Sequence, residues 1–323
     1  MTPDRIRASV VIPAYNEERY LSACLTAILG SQLNRASFEV LVVDNGSEDG
    51  TIQIARRYPV TLLHKDKVKV GAVRNYGAHH AKGEYLVFLD ADCVVDPEWL
   101  AIGLSKLEGN ERLVLGGQYL MRENASWLEK YWVLNNAQVP RASTTLVGGS
   151  IFIRKQTFSM ISGFAEHLNS GEDSELTERL RKAGFQVVID QRLSVVHLGY
   201  PSQVIPFIRR QMWHSSDYVT NLRASMNDKV FLLTLVFMAG CLTFVVGLIT
   251  TGHPSPPLLV PVLGPPLLLS YKRVSRSQTK HRTPYDLFSV YCVDVLYLIG
   301  RSWGVALSLR NVLLPSSEKV ERM

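Results

Sequence analysis

The sequence predicts an α/β domain with a mostly parallel central sheet and flanking helices, followed by a helical membrane region. Three short runs carry the first half of that expectation: ASVVIP from Ala8, FEVLVVD from Phe38 and YLVFLD from Tyr85. They are β-rich and apolar without alternation, as strands covered on both faces must be. The second half rests on Val230 to Ser270, which contains no charged residue.

Taken in order, Ala8 to Pro13 is the first strand and Glu17 to Leu29 the first helix. Phe38 to Asp44 is the second strand, Gly50 to Tyr58 the second helix, and Val60 to Leu63 a further strand. Ala72 to Ala81 reads as a third helix, leading into the strand from Tyr85 to Asp90. A strand follows around Leu113 to Leu120, then a tryptophan-rich stretch near Trp127 and Trp132, and LVGGSIFI from Leu146 to Ile153. A helix opens in Ser170-Gly171-Glu172-Asp173 and stops at Gly184, before short strands at Gln186 to Ile189 and Ser194 to His197.

The first three strands each end in a polar cluster: Pro13-Ala14-Tyr15-Asn16-Glu17, Asp44-Asn45-Gly46-Ser47 and Asp90-Ala91-Asp92. Ligands of open parallel sheets bind at the carboxyl ends of strands, so the clusters are expected to converge on one crevice. Neither GxGxxG nor GxxxxGK[ST] occurs, so side chains and a metal must hold any nucleotide. Asp90 and Asp92 flank one small residue and can aim hard oxygens at one point, which suits Mg²⁺ or Mn²⁺. Asp92 or Asp96 capping the helix after Pro97 accounts for the same residues without a metal.

Asp44 can accept from a ribose hydroxyl or base N–H, or cap its own turn. Arg74 can neutralise a phosphate. Gly148 and Gly149 leave room for a sugar or acceptor near the backbone. Glu172 and Asp173 gain from the helix dipole, and a carboxylate there can also serve as a general base. His197 ends a VVH run where it can complete a metal shell or fill a structural role. Arg209, Arg210 and Trp213 precede the apolar region and can clamp a diphosphate or anchor an interface.

In order along the chain, VVIPAYNEERYL, VLVVDNGSEDGT, VGAVRNYGAHHAKGEYLVFLDADC, GGSIFIRK and GEDSEL resemble family 2 glycosyltransferases of the GT-A fold, from about Ala8 to Trp213. The resemblance implies that Pro13, Tyr15, Glu17 and Asp44 contact the nucleotide, that Asp90-Ala91-Asp92 is the metal and diphosphate site, and that Asp173 is the catalytic base. Arg210-Gln211-Met212-Trp213 departs from the family's Q/R-x-x-R-W pattern, which weakens a processive synthase reading. The reaction implied is a single inverting displacement on a nucleoside diphosphate sugar. A hydroxyl acceptor needs a base such as Asp173, whereas an ionised polyprenyl phosphate does not.

The net charge of +6 owes much to Lys272, Arg273, Arg276, Lys280 and Arg282, directly after the charge-free region. That placement favours a membrane surface over nucleic acid. Four dispersed cysteines, Cys24, Cys93, Cys241 and Cys292, without CxxC or metal-finger spacing, read as reduced structural thiols. The N-terminus lacks the apolar stretch of a secretory signal, so the catalytic domain is expected on the cytoplasmic face of the cell membrane. Val230 to Thr251 is long enough to cross, and the proline-broken stretch to Tyr271 is expected to be a broken or re-entrant return.

Tyr285 to Leu309 carries Asp286, Asp294 and Arg301 on one face, so it either lies in the interface or crosses with that face on protein. The expected domains are thus 1–225 for the transferase, 226–271 for a membrane hairpin, 272–284 for a basic loop and 285–323 for a third helix and tail. The expected acceptor is a membrane lipid or lipid-linked glycan in cell-envelope or exopolysaccharide synthesis. The rival expectations are a polyprenyl-phosphate glycosyltransferase and a catalytically silent membrane scaffold.

Overall fold

Side-chain burial on alternate faces organises the central sheet. In the computed structural model, which describes residues 6–134, 144–216, 218–219, 222–253, 256–275, 277 and 282–313, seven strands form it in the order β3-β2-β1-β4-β8-β6-β9. The strands are β1 (Ala8–Ala14), β2 (Phe38–Asp44), β3 (Thr61–His64), β4 (Tyr85–Phe88), β6 (Leu113–Gly116), β8 (Ile151–Arg154) and β9 (Gln186–Ile189). A smaller sheet, β5-β10-β7, joins β5 (Cys93–Val94), β10 (Val195–His197) and β7 (Tyr119–Met121). β1 pairs in parallel with β2 and β4, and β2 with β3; β8 runs antiparallel between β4 and β6.

Val10, Ile12, Val40, Val42 and Val87 pack on one face with α1 (Leu21–Leu29) and α4 (Trp99–Leu107). Val11, Val43, Leu86 and Phe88 pack on the other with α3 (Val70–His80) and α7 (Glu172–Lys182). Both faces are covered, which is why these strands read as unbroken apolar runs. α2 (Thr51–Ala55) and α6 (Lys155–Met160) complete this unit's helices among the described residues.

The expected single strand at Leu113 to Leu120 divides into β6 and β7, which enter different sheets. The break falls at Gly117, whose N–H leaves the ladder for Ser150 O at 3.2 Å. Asp96 closes the turn before α4, its Oδ1 accepting the Glu98 N–H at 2.8 Å, and α4 itself starts after Glu98 without a side-chain cap.

The chain divides into two compact units. One holds Met1–Glu123 and Asn136–Tyr200; the other holds Asn124–Asn135 and Pro201–Met323. In this division α5 (Trp127–Val133) and α8 (Val204–His214) fall with α9 (Leu222–Ser225), α10 (Lys229–Thr251), α11 (Pro256–Ser275) and α12 (Pro284–Leu313). Apolar packing holds these helices together. Trp132 stacks against Phe207 and Tyr297 at ring separations of 5.0 and 5.2 Å, and Arg273 lies 4.3 Å over its ring. A Cβ on Gly300 would sit 2.7 Å from Gln211 Cβ and one on Gly304 2.4 Å from Met212 O, so α8 and α12 meet at backbone distance.

α11 runs unbroken through Pro261, Pro265 and Pro266, against the expectation of a broken segment. Pro256 and Pro257 stand at its start, where an N–H has no helical partner in any case. Among the described residues, the helices long and apolar enough to cross a membrane are α10 and α12, whereas α11 is not among them. Three charges on α12 are engaged by protein groups: Asp286 accepts from Tyr131 at 2.6 Å, Asp294 pairs with Arg273 at 2.5 Å, and Arg301 donates to Tyr218 at 2.9 Å.

Candidate active site

The clusters at the ends of β1, β2 and β4 come from three adjacent strands, because β1 pairs with both β2 and β4. Asp44 is only 1% exposed. Its Oδ2 accepts the Gly46 and Ser47 N–H groups at 3.0 and 3.1 Å, closing the turn. Its Oδ1 is buried with no hydrogen-bond partner among the described residues. An unpaired buried carboxylate oxygen is costly, so it marks a position for a donor from outside the chain. Tyr15 stands 54% exposed at the end of β1, Pro13 is part-buried, and the Glu17 N–H donates to Thr51 Oγ1 at 2.7 Å.

Beyond β4, Arg74 from α3 is nearly buried and bridges two carboxylates. Nη2 meets Asp90 Oδ1 and Nη1 meets Glu172 Oε1, both at 2.6 Å. Both Nη groups of Arg74 are thus turned onto the protein's own carboxylates, while its Nε has no hydrogen-bond partner among the described residues. Burial alone would lower its pKa, but Asp90 and Glu172 outweigh burial and raise it. Glu172, at the start of α7, is turned inward onto Arg74 and is 6% exposed.

Asp90 is held from its other side by Tyr119, whose hydroxyl donates to Oδ2 at 2.7 Å and accepts the Gly149 N–H at 3.0 Å. Burial pushes the Asp90 carboxyl up, but Arg74 and the Tyr119 hydroxyl prevail and hold it below its usual range. Burial and the neighbouring Asp90 push the Tyr119 phenol well up, so it stays a donor. Tyr119 was not singled out in the sequence because it sits inside a strand run with no motif beside it.

The two glycines border this network. A Cβ on Gly148 would lie 2.3 Å from Arg74 Nη2, and one on Gly149 would lie 2.6 Å from Tyr119 Cε1 and 3.0 Å from Asp90 Oδ2. Their missing side chains make room for Arg74 and Tyr119.

Asp92 faces His197, with Oδ2 and Nε2 3.3 Å apart, because β5 and β10 pair antiparallel with His197 opposite Cys93. Asp90, Asp92 and Cys93 offer ligand atoms within 4.8 Å of one another. Each Asp90 oxygen already accepts one hydrogen bond and keeps a further lone pair, so this oxygen set fits a hard divalent cation with Asp92 as its main anchor. Burial and the adjacent Asp92 and Asp90 charges push the Cys93 thiol well up, so it stays protonated.

Asp173 is the second residue of α7, two residues after Gly171. Its Oδ2 accepts the Gly148 N–H at 3.2 Å and its Oδ1 the Ser174 N–H at 2.7 Å. Burial, then the neighbouring Glu172 charge, raise its carboxyl above the usual value. A carboxylate with raised basicity, aligned through Gly148 and Arg74 with an acidic metal-type cluster, can take a proton. Arg210 and Trp213 lie on α8 of the other unit, and Trp213 is 56% exposed.

A doubly covered, mostly parallel sheet with acidic groups at its strand ends and a separate carboxylate at a helix start defines a transferase of the GT-A type. Residues 9–162 match the model of glycosyl transferase family 2, and residues 130–198 match that described as the N-terminal domain of galactosyltransferase. Glycosyltransferase AglE of Haloferax volcanii is 31% identical over 204 residues, covering 60% of this chain and 67% of AglE. The chain belongs to glycosyl transferase family 2 and is a glycosyltransferase.

The poly(ribitol-phosphate) beta-N-acetylglucosaminyltransferase TarS of Staphylococcus aureus is 33% identical over 101 residues, 29% of this chain and 18% of TarS, so that relative is matched over a small part of its length. Among solved structures, the mannosyltransferase PcManGT from Pyrobaculum calidifontis, in complex with GDP-Man and Mn²⁺, has a TM-score of 0.52 at 18% identity, covering 96% of this chain and 88% of that one. GalNAc-T7 with UDP, GalNAc and Mn²⁺ has a TM-score of 0.50 at 16% identity, covering 67% and 51%. Both likenesses are of fold.

Proposed function

We propose that the protein is an inverting, divalent-metal-assisted glycosyltransferase that moves a sugar from a nucleoside diphosphate sugar to a hydroxyl of a membrane-associated acceptor. A lipid-linked glycan in cell-envelope or exopolysaccharide synthesis fits that acceptor, and the enzyme works at the cell membrane with its catalytic unit on the cytoplasmic face. The observation that carries this reading is the Arg74 bridge, which ties Asp90 of the acidic cluster to Glu172, the neighbour of Asp173.

Asp44 Oδ1 supplies the unsatisfied acceptor for a ribose hydroxyl or base N–H, and exposed Tyr15 offers a face for the base. Asp92, with Asp90 and His197, would hold Mg²⁺ or Mn²⁺; the Mn²⁺ in the two structural relatives supports a divalent ion there. When bound, the cation supplies charge neutralisation for the departing diphosphate. Asp173 removes the acceptor proton as the new C–O bond forms on the face of the anomeric carbon opposite the breaking bond to diphosphate. The Arg74 and Tyr119 contacts keep Asp90 ionised and fixed while this happens.

The test is to incubate the purified full chain in lipid with a panel of nucleotide sugars, Mn²⁺ or Mg²⁺, and lipid-linked acceptors, then analyse extracted products. A new sugar–sugar bond with inverted anomeric configuration is the expected result. A sugar phosphate lipid as sole product would overturn the hydroxyl-acceptor reading in favour of a polyprenyl-phosphate transferase. No metal-dependent turnover of any donor would leave the silent scaffold.

A further inference from the structure

At the β3 edge of the central sheet, a second group of polar side chains gathers around Asp44. Asp44 ends β2, His64 ends β3 directly opposite it, and Asp66 follows two residues later. Each offers an oxygen or nitrogen atom within 4.8 Å of the others. Asp44 Oδ2 is taken, since it closes its own turn with the Gly46 and Ser47 N–H groups and faces His64 Nδ1 at 3.6 Å. The buried Oδ1 is left over, without a partner among the described residues.

Asp66 is exposed, yet its backbone is held in place. The Lys65 N–H donates to the Asp44 carbonyl at 2.9 Å, and Asn45 exchanges two hydrogen bonds with Val68, at 2.9 and 3.0 Å. A Cβ on Gly46, whose φ is 83°, would lie 3.6 Å from Asp66 Oδ1, so this loop brings the second carboxylate against the Asp44 turn. Neighbouring strands lie about 4.8 Å apart, and with β1 between them β2 and β4 are separated by roughly 10 Å. The diphosphate belongs with Asp90 and Asp92 beyond β4, so a cluster at β2 and β3 meets the other end of the nucleotide, its base.

Ionised carboxylates only accept hydrogen bonds. Two of them side by side call for a base edge with two adjacent N–H donors. Guanine has that edge, N1–H next to the N2 amino group, whereas uracil has one N–H flanked by two carbonyl oxygens. Adenine and cytosine set their amino group beside a ring nitrogen that is itself an acceptor. Against any of these three, the second carboxylate would face another acceptor and repel it. We propose that this cluster selects guanine, with Asp44 Oδ1 accepting N1–H and Asp66 accepting the N2 amino group, so that the donor is a GDP-sugar. The inference rests on the nucleotide-site reading above and names the base within it.

The experiment titrates the full chain, in detergent with Mn²⁺, with GDP, IDP and UDP by calorimetry. IDP keeps N1–H and O6 but lacks the amino group. GDP should bind at least about tenfold tighter than either. Asp66→Ala, at an exposed position, should bring GDP to within about threefold of IDP without weakening IDP. Asp66→Asn, whose amide can donate to a carbonyl, should raise UDP affinity relative to GDP. A parent that binds UDP or IDP as tightly as GDP, or an Asp66→Ala variant that keeps the parental preference, would overturn the proposal and leave the nucleotide site standing. Binding of no nucleoside diphosphate would sink the nucleotide-site reading itself, and the base assignment with it.

Discussion

Asp173 combines a raised pKa with two backbone N–H donors that fix its carboxylate. Replacing it with Asn keeps one oxygen acceptor and the shape but removes the base. Transfer should fall by about 10²–10⁴ while donor binding is kept, read by steady-state kinetics and nucleotide titration. Because its folded pKa lies above the unfolded one, the folded state prefers the protonated form. Its stabilising contribution is present below the unfolded pKa and is lost as pH rises through the folded value. Asp173→Asn should therefore leave the thermal midpoint at neutral pH unchanged or slightly higher. In the parent enzyme the acid limb of the kcat profile should lie above the ordinary carboxylate range. Asp90 has the opposite sign: its depressed pKa gives stability above the unfolded value that is lost as pH falls through the folded one.

Strands β1, β2 and β4 were legible because burial on both faces leaves an unbroken apolar signature, and their polar ends located Asp44, Asp90 and Asp92. What the sequence concealed were partnerships across long separations. Arg74 and Glu172 are 98 residues apart, and nothing local says that the arginine faces inward or that Gly148 is small on its account. The same limit hid Tyr119 and the membership of α5, whose capping box of Ser126 and Glu129 is local but whose packing against Phe207 and Tyr297 is not. Between α10 and α11, a Cβ on Gly240 would lie 2.7 Å from the Pro261 carbonyl carbon. Gly240→Leu should push these helices apart at a cost of about 1–3 kcal/mol, measured as a lowered melting midpoint in detergent.

At the scale of the whole molecule, two helices have the length and composition to cross a bilayer, and any two crossings return the chain to the side it left. A C-terminal tag in sealed, oriented vesicles should therefore be cut by protease from the same side as the catalytic unit; protection from that side would require an odd number of crossings. Within the helical unit, Asp294 is fully buried against Arg273 and Ser270. Asp294→Leu leaves the arginine without its counter-charge and should destabilise the protein by about 3–5 kcal/mol, whereas the double variant that also removes Arg273 should recover part of that loss. Thermal melts of the two variants in one detergent check this.

Arg74 gives one guanidinium to two carboxylates from distant parts of the chain, which makes the acidic cluster and the start of α7 share a single mechanical joint. Such a joint imposes epistasis. Asp90→Asn and Glu172→Gln should not add in a double-mutant cycle, and a change at Arg74, Tyr119 or Gly148 becomes tolerable only when another of the set changes with it. Engineering of donor or acceptor preference will accordingly meet least resistance outside this group, where side chains can be exchanged one at a time.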